Sequence, residues 1–474
     1  MSSLILNLLR PIINKIPGRI TLSIVKRFNV DPNLFWRSNR LYGLEQVDEN
    51  IGMLRVRRFY NKNHVGYGLA WGCGMESALR IINLTQFINR TANDTIKTEL
   101  THIISEETKF LINNFEWQSR NTHFLSCAVA LLHSNYILGE KHTIVKPQHI
   151  REIITDFARF YFLADGTSRE GSVHYHTLAV ELLNTIEDLD ILFFKYLITR
   201  FNWQGAINFI NQTHYQLYWV PIGDFDSTMC SAHLINYDRF KYINEKIVNR
   251  HSNLLKKQDS FEDFGIYYLS SKHLNLQLIN KSDGPYCGHS HGDSLSIILS
   301  FDGVPAIIER GVECYKKNRK KYRSAKAHSS PIANATFIPE LNASFDQIEC
   351  NTKHLTNVYP KKSEIIAEMI SNEKRIRREV KFLNEHTISI TDSAINCSLK
   401  QITFFVDQQW TISSNTSEYI KFISGYKTMY IYAASDIRSV TKTTAYSEYN
   451  IKVSVIEVRI CPNASEFSTV IRFK

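Results

Sequence analysis

The chain has 474 residues, 43% of them apolar and 22% charged, which is the balance of a folded protein and excludes fibrous or largely disordered classes. The length predicts more than one core. With 56 Lys and Arg against 46 Asp and Glu, the net charge is +10, which suits an acidic partner such as a nucleic acid, an anionic lipid surface or an acidic polysaccharide.

The first 40 residues carry Arg10, Lys15, Arg19, Lys26, Arg27, Arg37 and Arg40 against one acid, Asp31. They lack the order of a secretory signal, in which charges precede an unbroken apolar run and small residues. The segment reads either as an ordinary first helix or as a basic amphipathic helix making peripheral contact with a membrane. No apolar run reaches the roughly 18 residues of a membrane span. The stretch closest to it, Leu189 to Ile198, contains Asp190 and Lys195. Eight scattered cysteines without a CxxC pair argue against a zinc ribbon, and buried free thiols are expected.

To about residue 258 the apolar spacing is helical. It runs through Met75, Ala78, Leu79 and Ile82, then Phe124, Cys127, Ala128, Leu131 and Leu132. It continues through Ile150, Ile153, Ile154 and Phe157, and through Leu178, Leu182, Ile186 and Leu189. From about residue 260 the period becomes two. Leu295, Ile297, Leu299 and Phe301 form a strand, Asp302-Gly303 a tight hairpin turn, and Val304 to Ile308 the return. Thr387 to Ile390, Ile402 to Val406 and Ile451 to Ile460 predict further strands. Helices followed by strands predict an α-helical domain over 1–258 and an antiparallel β domain over 259–474.

Two clusters stand out for chemistry. Gly288-His289-Ser290-His291-Gly292-Asp293 precedes a strand, and on a strand both imidazoles would point one way, as metal ligands must. Glu170-Gly171-Ser172-Val173-His174-Tyr175-His176 opens a helix, with Ser172 as a cap and the aromatic groups expected at a cleft. Three segments read more blandly when taken alone. Trp71-Gly72-Cys73-Gly74-Met75-Glu76, leading to Arg80, is a glycine turn. Arg120-Asn121-Thr122-His123 is a helix cap, and Gly223-Asp224-Phe225-Asp226 is an acidic loop.

Together and in order, these segments resemble the heparinase II/III-like polysaccharide lyases. The GHxHxDxLS stretch at 288–296, Glu309-Arg310-Gly311, Arg323 and Ala327-His328 match the family's sandwich. Trp71-x-x-Gly-Met-Glu, the loop ending in His123, Glu170-x-Ser-x-x-Tyr-His and Gly223-Asp-x-Asp match its helical toroid. The resemblance spans about residues 65–330. It implies an N-terminal (α/α) toroid followed by a C-terminal antiparallel β-sandwich. The implied activity is β-elimination on a uronic-acid-containing polysaccharide, with Tyr/His acid–base catalysis in a cleft between the two. By motif position Tyr175 is the catalytic Tyr, His289 and His123 are active-site His, and Tyr315 is a second Tyr. Asn121, Glu76, Arg80, His176 and Arg323 are substrate contacts, although Glu76, Arg80 and Arg323 read equally well as internal ion pairs. His291, Glu309 and His328 fall where relatives hold a structural divalent metal, usually zinc, with Asp293 as an outer acceptor that orients a His.

Two positions depart from the family pattern. Thr122 stands where Asn commonly precedes the toroid His, and Glu309 where the metal acid is commonly Asp. Two other readings stay open. One is a non-catalytic or biosynthesis-associated protein that binds acidic glycan. The other is a metal-dependent hydrolase using His289-Ser290-His291-Gly292-Asp293, whose closing His would be Ser294. No nucleic-acid motif is present. The sequence points to cytoplasmic or peripheral-membrane residence, the resemblance to a periplasmic or secreted one. The oligomeric state, the sugar and the cleavage mode are open.

Overall fold

A computed structural model describes residues 15–27, 40–139, 145–213, 221–226, 229–230, 239–281, 288–315, 318–337, 352–433, 438–448, 451–462 and 464–474. Most of the basic first 40 residues, with their expected membrane contact, lie outside these, as do Cys287 and Cys350. The chain divides into two compact units. The first holds 1–166, 175–207 and 226–252, the second 167–174, 208–225 and 253–474. The strand-rich unit thus includes two short segments from within the helical part of the sequence.

The helices are α1 (Gly18–Arg27), α2 (Glu49–Lys62), α3 (Gly74–Arg90), α4 (Asp94–Asn113), α5 (Thr122–Leu138), α6 (Pro147–Tyr161), α7 (Val173–Glu187), α8 (Ile191–Leu197), α9 (Trp203–Thr213) and α10 (Arg239–Ile243). Local chemistry sets their ends. Asp48 and Asn93 accept from the free N–H groups opening α2 and α4, and Asp190 does so for Phe193 in α8. The Leu189–Ile198 stretch is therefore a short capped helix. No described helix is long and apolar enough to cross a membrane. α3 packs against α4 and α5 and is buried on every side from Gly74 to Leu84, which makes it a central helix. α1 docks on the turn before α3. A Cβ on Gly18 would lie 2.1 Å from the Trp71 carbonyl oxygen, so only glycine permits that approach.

The second unit is a sandwich of two antiparallel sheets. One runs β1 (Ser260–Phe261), β2 (Ile266–Ser270), β3 (Leu274–Ile279), β4 (Ser296–Phe301), β5 (Val304–Ile307), β11 (Leu399–Val406), β16 (Ile451–Ile460) and β15 (Arg438–Glu448), with β6 (Pro331–Ala333) also on β11. The other runs β12 (Thr411–Asn415), β13 (Tyr419–Ser424), β14 (Lys427–Tyr432), β17 (Glu466–Phe473), β10 (Thr387–Ile395), β9 (Lys374–Asn384), β8 (Glu364–Ser371) and β7 (Lys353–Tyr359). Inward residues of both, among them Leu276, Leu299, Phe404, Val380, Ile390 and Ile431, form one core. The β4–β5 turn has φ of 48° at Asp302 and 73° at Gly303, the two left-handed residues of a type I′ hairpin.

Residues 288–295 are turns, and β4 begins only at Ser296, so His289 and His291 do not share a strand face as expected. The six described cysteines, at 73, 127, 230, 314, 397 and 461, are free thiols, with Cys127 and Cys230 buried.

Candidate active site

In the sandwich unit the polar centre is Asp224. Its Oδ2 lies 3.1 Å from His289 Nδ1 and its Oδ1 3.0 Å from His291 Nε2. Arg319, on the short helix α11 (Arg319–Arg323), donates to Oδ2 through Nε at 3.0 Å and also through a terminal nitrogen. All four side chains are buried. Burial alone would raise the Asp224 carboxyl, but the Arg319 charge and the two His hydrogen bonds hold it well below the usual carboxylate range. An ionised carboxylate is acceptor-only, so His289 donates from Nδ1 and His291 from Nε2. His291 is neutral at ordinary pH: burial, only partly offset by Asp224, lowers it to about 4.

The backbone makes this possible. Gly223 has φ of 74°, and a Cβ there would lie 2.5 Å from the Gly171 carbonyl and 2.9 Å from that of His289. Ser172 Oγ donates to the Asp224 carbonyl at 2.6 Å, and the Asp224 N–H donates to the His289 carbonyl at 2.8 Å. His289 Nε2 faces Glu170 Oε1 at 3.8 Å, and its ring is 6.1 Å from that of Tyr315. One imidazole nitrogen is therefore fixed by the Asp224 anion while the other faces Glu170.

The outer-acceptor role expected of Asp293 falls to Asp224 instead, because Asp293 is paired with Lys281 at 3.0 Å. Arg323 is wholly buried and donates to the Ser290 carbonyl at 3.1 Å, which corrects its expected contact with substrate. It braces the His289–His291 turn.

His291, Glu309 and His328 bring the donor types of a zinc site. Glu309 Oε1 and His328 Nε2 are buried without a hydrogen-bond partner, while Glu309 Oε2 meets His328 Nδ1 directly. The Glu309 charge outweighs burial and raises His328. Their ligand atoms do not all lie within 4.8 Å of one another. The described three-ligand groups whose atoms lie within 4.8 Å of one another are Cys73–Glu116–His123 and His273–Glu385–His386. No chemical step is assigned to a metal at His291, Glu309 and His328.

In the helical unit, His123 opens α5. Asn121 caps that helix, its Oδ1 accepting the His123 N–H at 3.0 Å. His123 Nδ1 sits 2.9 Å from Glu116 Oε2, and the Met75 N–H donates to Glu116 Oε1 at 2.9 Å. Burial opposes ionisation of Glu116, but His123 and the Met75 N–H bring its carboxyl down to about 2. Spacing did not single out Glu116; the one available signal is an acid seven residues before a helix-opening His.

Tyr175 lies in the first turn of α7, 4% exposed, and its carbonyl accepts from Tyr161 Oη at 3.5 Å. The whole 171–177 stretch is buried, not set on an open cleft wall. His176 donates from Nε2 to the Ala206 carbonyl at 3.1 Å and is lowered to about 4 by burial, which corrects its expected contact with substrate. Glu76 and Arg80 are likewise internal. Glu76 takes both Arg40 Nε and a terminal nitrogen, at 2.8 and 2.6 Å. Arg80 pairs with Glu107 at 2.7 and 3.2 Å and stacks over Trp71. At 1% and 0% exposure neither side chain presents a surface to a sugar.

One chain thus carries a helical unit and a two-sheet antiparallel sandwich with a buried His–Asp–His centre. The heparinase II/III-like resemblance is borne out: the family model of the heparinase II/III-like C-terminal domain matches residues 253–335, which contain His289, His291, Glu309 and His328. Among solved structures, the chain is similar to a heparinase III (14% identity, 90% of this chain and 73% of that one, TM-score 0.63). It is also similar to a second heparinase III gene product (14%, 85% and 68%, 0.60) and to a mutant heparan sulfate lyase HepC from Pedobacter heparinus (15%, 90% and 72%, 0.57). At these identities the likeness is one of fold. A search of curated protein sequences found no match.

Proposed function

We propose that the chain is a polysaccharide lyase that cleaves a uronic-acid-containing acidic glycan by β-elimination. The C5 proton beside a charged carboxylate is only weakly acidic, so the reaction needs a donor to neutralise that charge, a base for the proton and an acid for the departing O4. In this reading Tyr175 carries the proton transfers. His123 meets the uronate carboxylate through Nε2 while its Nδ1–H is held by Glu116. His289 supplies a second imidazole, its tautomer set by Asp224. Tyr315 lies beside His289 and is the second Tyr of this reading.

The observation that carries the proposal is the His289–Asp224–Arg319 arrangement: His289 and Arg319 lie in the segment that the family model matches, and a buried, charge-balanced carboxylate from outside that segment orients the His. The surplus of +10 fits the substrate class. The test is digestion of a panel of uronate polymers followed by ultraviolet absorbance, because elimination creates an unsaturated uronate. Absorbance that rises with at least one polymer supports the reading. Tight binding with no product from any polymer would replace it with the glycan-binding alternative.

A further inference from the structure

Cys73, Glu116 and His123 form a cluster that the elimination chemistry does not need as a whole. Cys73 ends the turn before α3, Glu116 lies between α4 and α5, and His123 is in the first turn of α5. His123 Nδ1 is 4.0 Å from Cys73 Sγ and 2.9 Å from Glu116 Oε2, and one ligand atom from each residue lies within 4.8 Å of the others. Tetrahedral zinc with a thiolate, an imidazole and a carboxylate has ligand–ligand edges of roughly 3.4–3.6 Å, so the two edges at His123 Nδ1 need an adjustment of only about half an ångström each, and the Cys73–Glu116 edge closes from within 4.8 Å.

The set is held in place from outside. Glu116 is oriented by the Met75 N–H on its far oxygen, and His123 by the Asn121 cap on its N–H. Gly74 lets the two segments meet, since a Cβ there would lie 2.5 Å from the Asn114 carbonyl and 3.3 Å from Glu116 Oε1. The His123 and Glu116 side chains are 31% and 23% exposed, so an ion and a water can reach the cluster from their side. Burial and the negative charges of Glu116 and Glu76 keep the thiol protonated in the ion's absence, and a divalent cation reverses that field.

We propose that Cys73, Glu116 and His123 form a binding site for a thiophilic divalent cation, zinc being the natural occupant, with a fourth position open to water. Binding releases the Cys73 proton to solvent and puts the metal on His123 Nδ1, where Glu116 now accepts a hydrogen bond. The site is separate from the expected sandwich set, which contains no thiolate.

The test uses the full-length chain, reduced and stripped with a chelator, and titrated with Co2+. A thiolate-to-cobalt charge-transfer band should appear at one equivalent and be discharged by Zn2+. C73S should lack the band, E116Q should weaken binding by about tenfold or more, and H328A should keep the wild-type band. Cobalt on His273, Glu385 and His386 would give no thiolate band. In case C73S does not fold, a second measurement uses the unmutated chain: Zn2+ should protect Cys73 from alkylation, located by peptide mass spectrometry. No band in folded wild type, a band that survives in C73S, or alkylation unaffected by zinc each overturns the proposal. These readouts do not involve glycan cleavage, so they fail or succeed separately from the lyase reading.

Discussion

Asp224 accepts a hydrogen bond from His289 Nδ1 at 3.1 Å across 65 positions of sequence, and the same oxygen is held by Arg319. Asparagine keeps the shape and one acceptor oxygen but removes the charge and the second acceptor. Asp224→Asn leaves the buried Arg319 uncompensated and should cost about 3–5 kcal/mol, read by urea unfolding. Uronate cleavage should fall with it through kcat. A variant of wild-type stability would show that Arg319 has another counter-charge.

Tyr175→Phe keeps the ring in its buried place and removes only the hydroxyl. If Tyr175 transfers the protons, elimination should drop about 10²–10⁴-fold while binding of a uronate oligosaccharide stays within a few-fold. A fully active variant removes Tyr175 from the mechanism.

Arg80→Met strands Glu107, which also accepts from Tyr60 at 2.5 Å, in a wholly buried setting. The expected loss is about 3–5 kcal/mol with KM for uronate polymer unchanged. A raised KM at wild-type stability would instead put Arg80 on the substrate.

His133 is buried, its Nε2 3.0 Å from Thr185 Oγ1, and burial lowers it to about 3, with a small opposing effect of Asp188. The sign follows from linkage. Below about pH 6.5 the unfolded chain takes up a proton that the folded His133 refuses, so stability is complete above that pH. It falls as pH drops from about 6.5 towards 3. His133→Gln can keep a hydrogen bond to Thr185 and should flatten this part of the stability–pH profile. An unchanged slope would assign it to other buried His.

Gly223→Ala places a methyl 2.5 Å from the Gly171 carbonyl at a left-handed φ. The expected cost is above about 1 kcal/mol. The perturbed His289 should show in its imidazole NMR resonances before the rest of the sandwich changes.

Much of the fold was legible in local pattern. The helical stripes at 75–82, 124–132 and 150–157 fall on α3, α5 and α6, and that at 178–189 falls on α7 except for Leu189, which lies in the turn after it. The Asp302-Gly303 pair made the I′ hairpin for the reason that favours those residues there, tolerance of positive φ. What was not legible was pairing at a distance. Glu76 and Arg80 sit one turn apart and read equally as substrate contacts or internal ion pairs; α3 is enclosed all round, and their counter-charges, Arg40 and Glu107, lie far off in sequence. Glu116 escaped, and Asp224 was seen only as part of an acidic loop, because orienting a His is a property of position in space, and neither spacing nor periodicity encodes a partner 7 or 65 residues away. The His289–His291 pair was read as strand neighbours, whereas the turn that carries them lets both reach one carboxylate by opposite ring nitrogens.

The boundary between the two compact units is crossed five times by the chain, at 166/167, 174/175, 207/208, 225/226 and 252/253. Cutting after residue 252 would therefore give a C-terminal fragment that keeps His289, His291 and Arg319 but has lost Asp224, left on the other piece. The guanidinium and the imidazoles would then face a vacancy where their anion belongs. The sandwich is not a transferable cassette: a fusion or truncation that starts it at its first strand inherits the histidines without the residue that orients them.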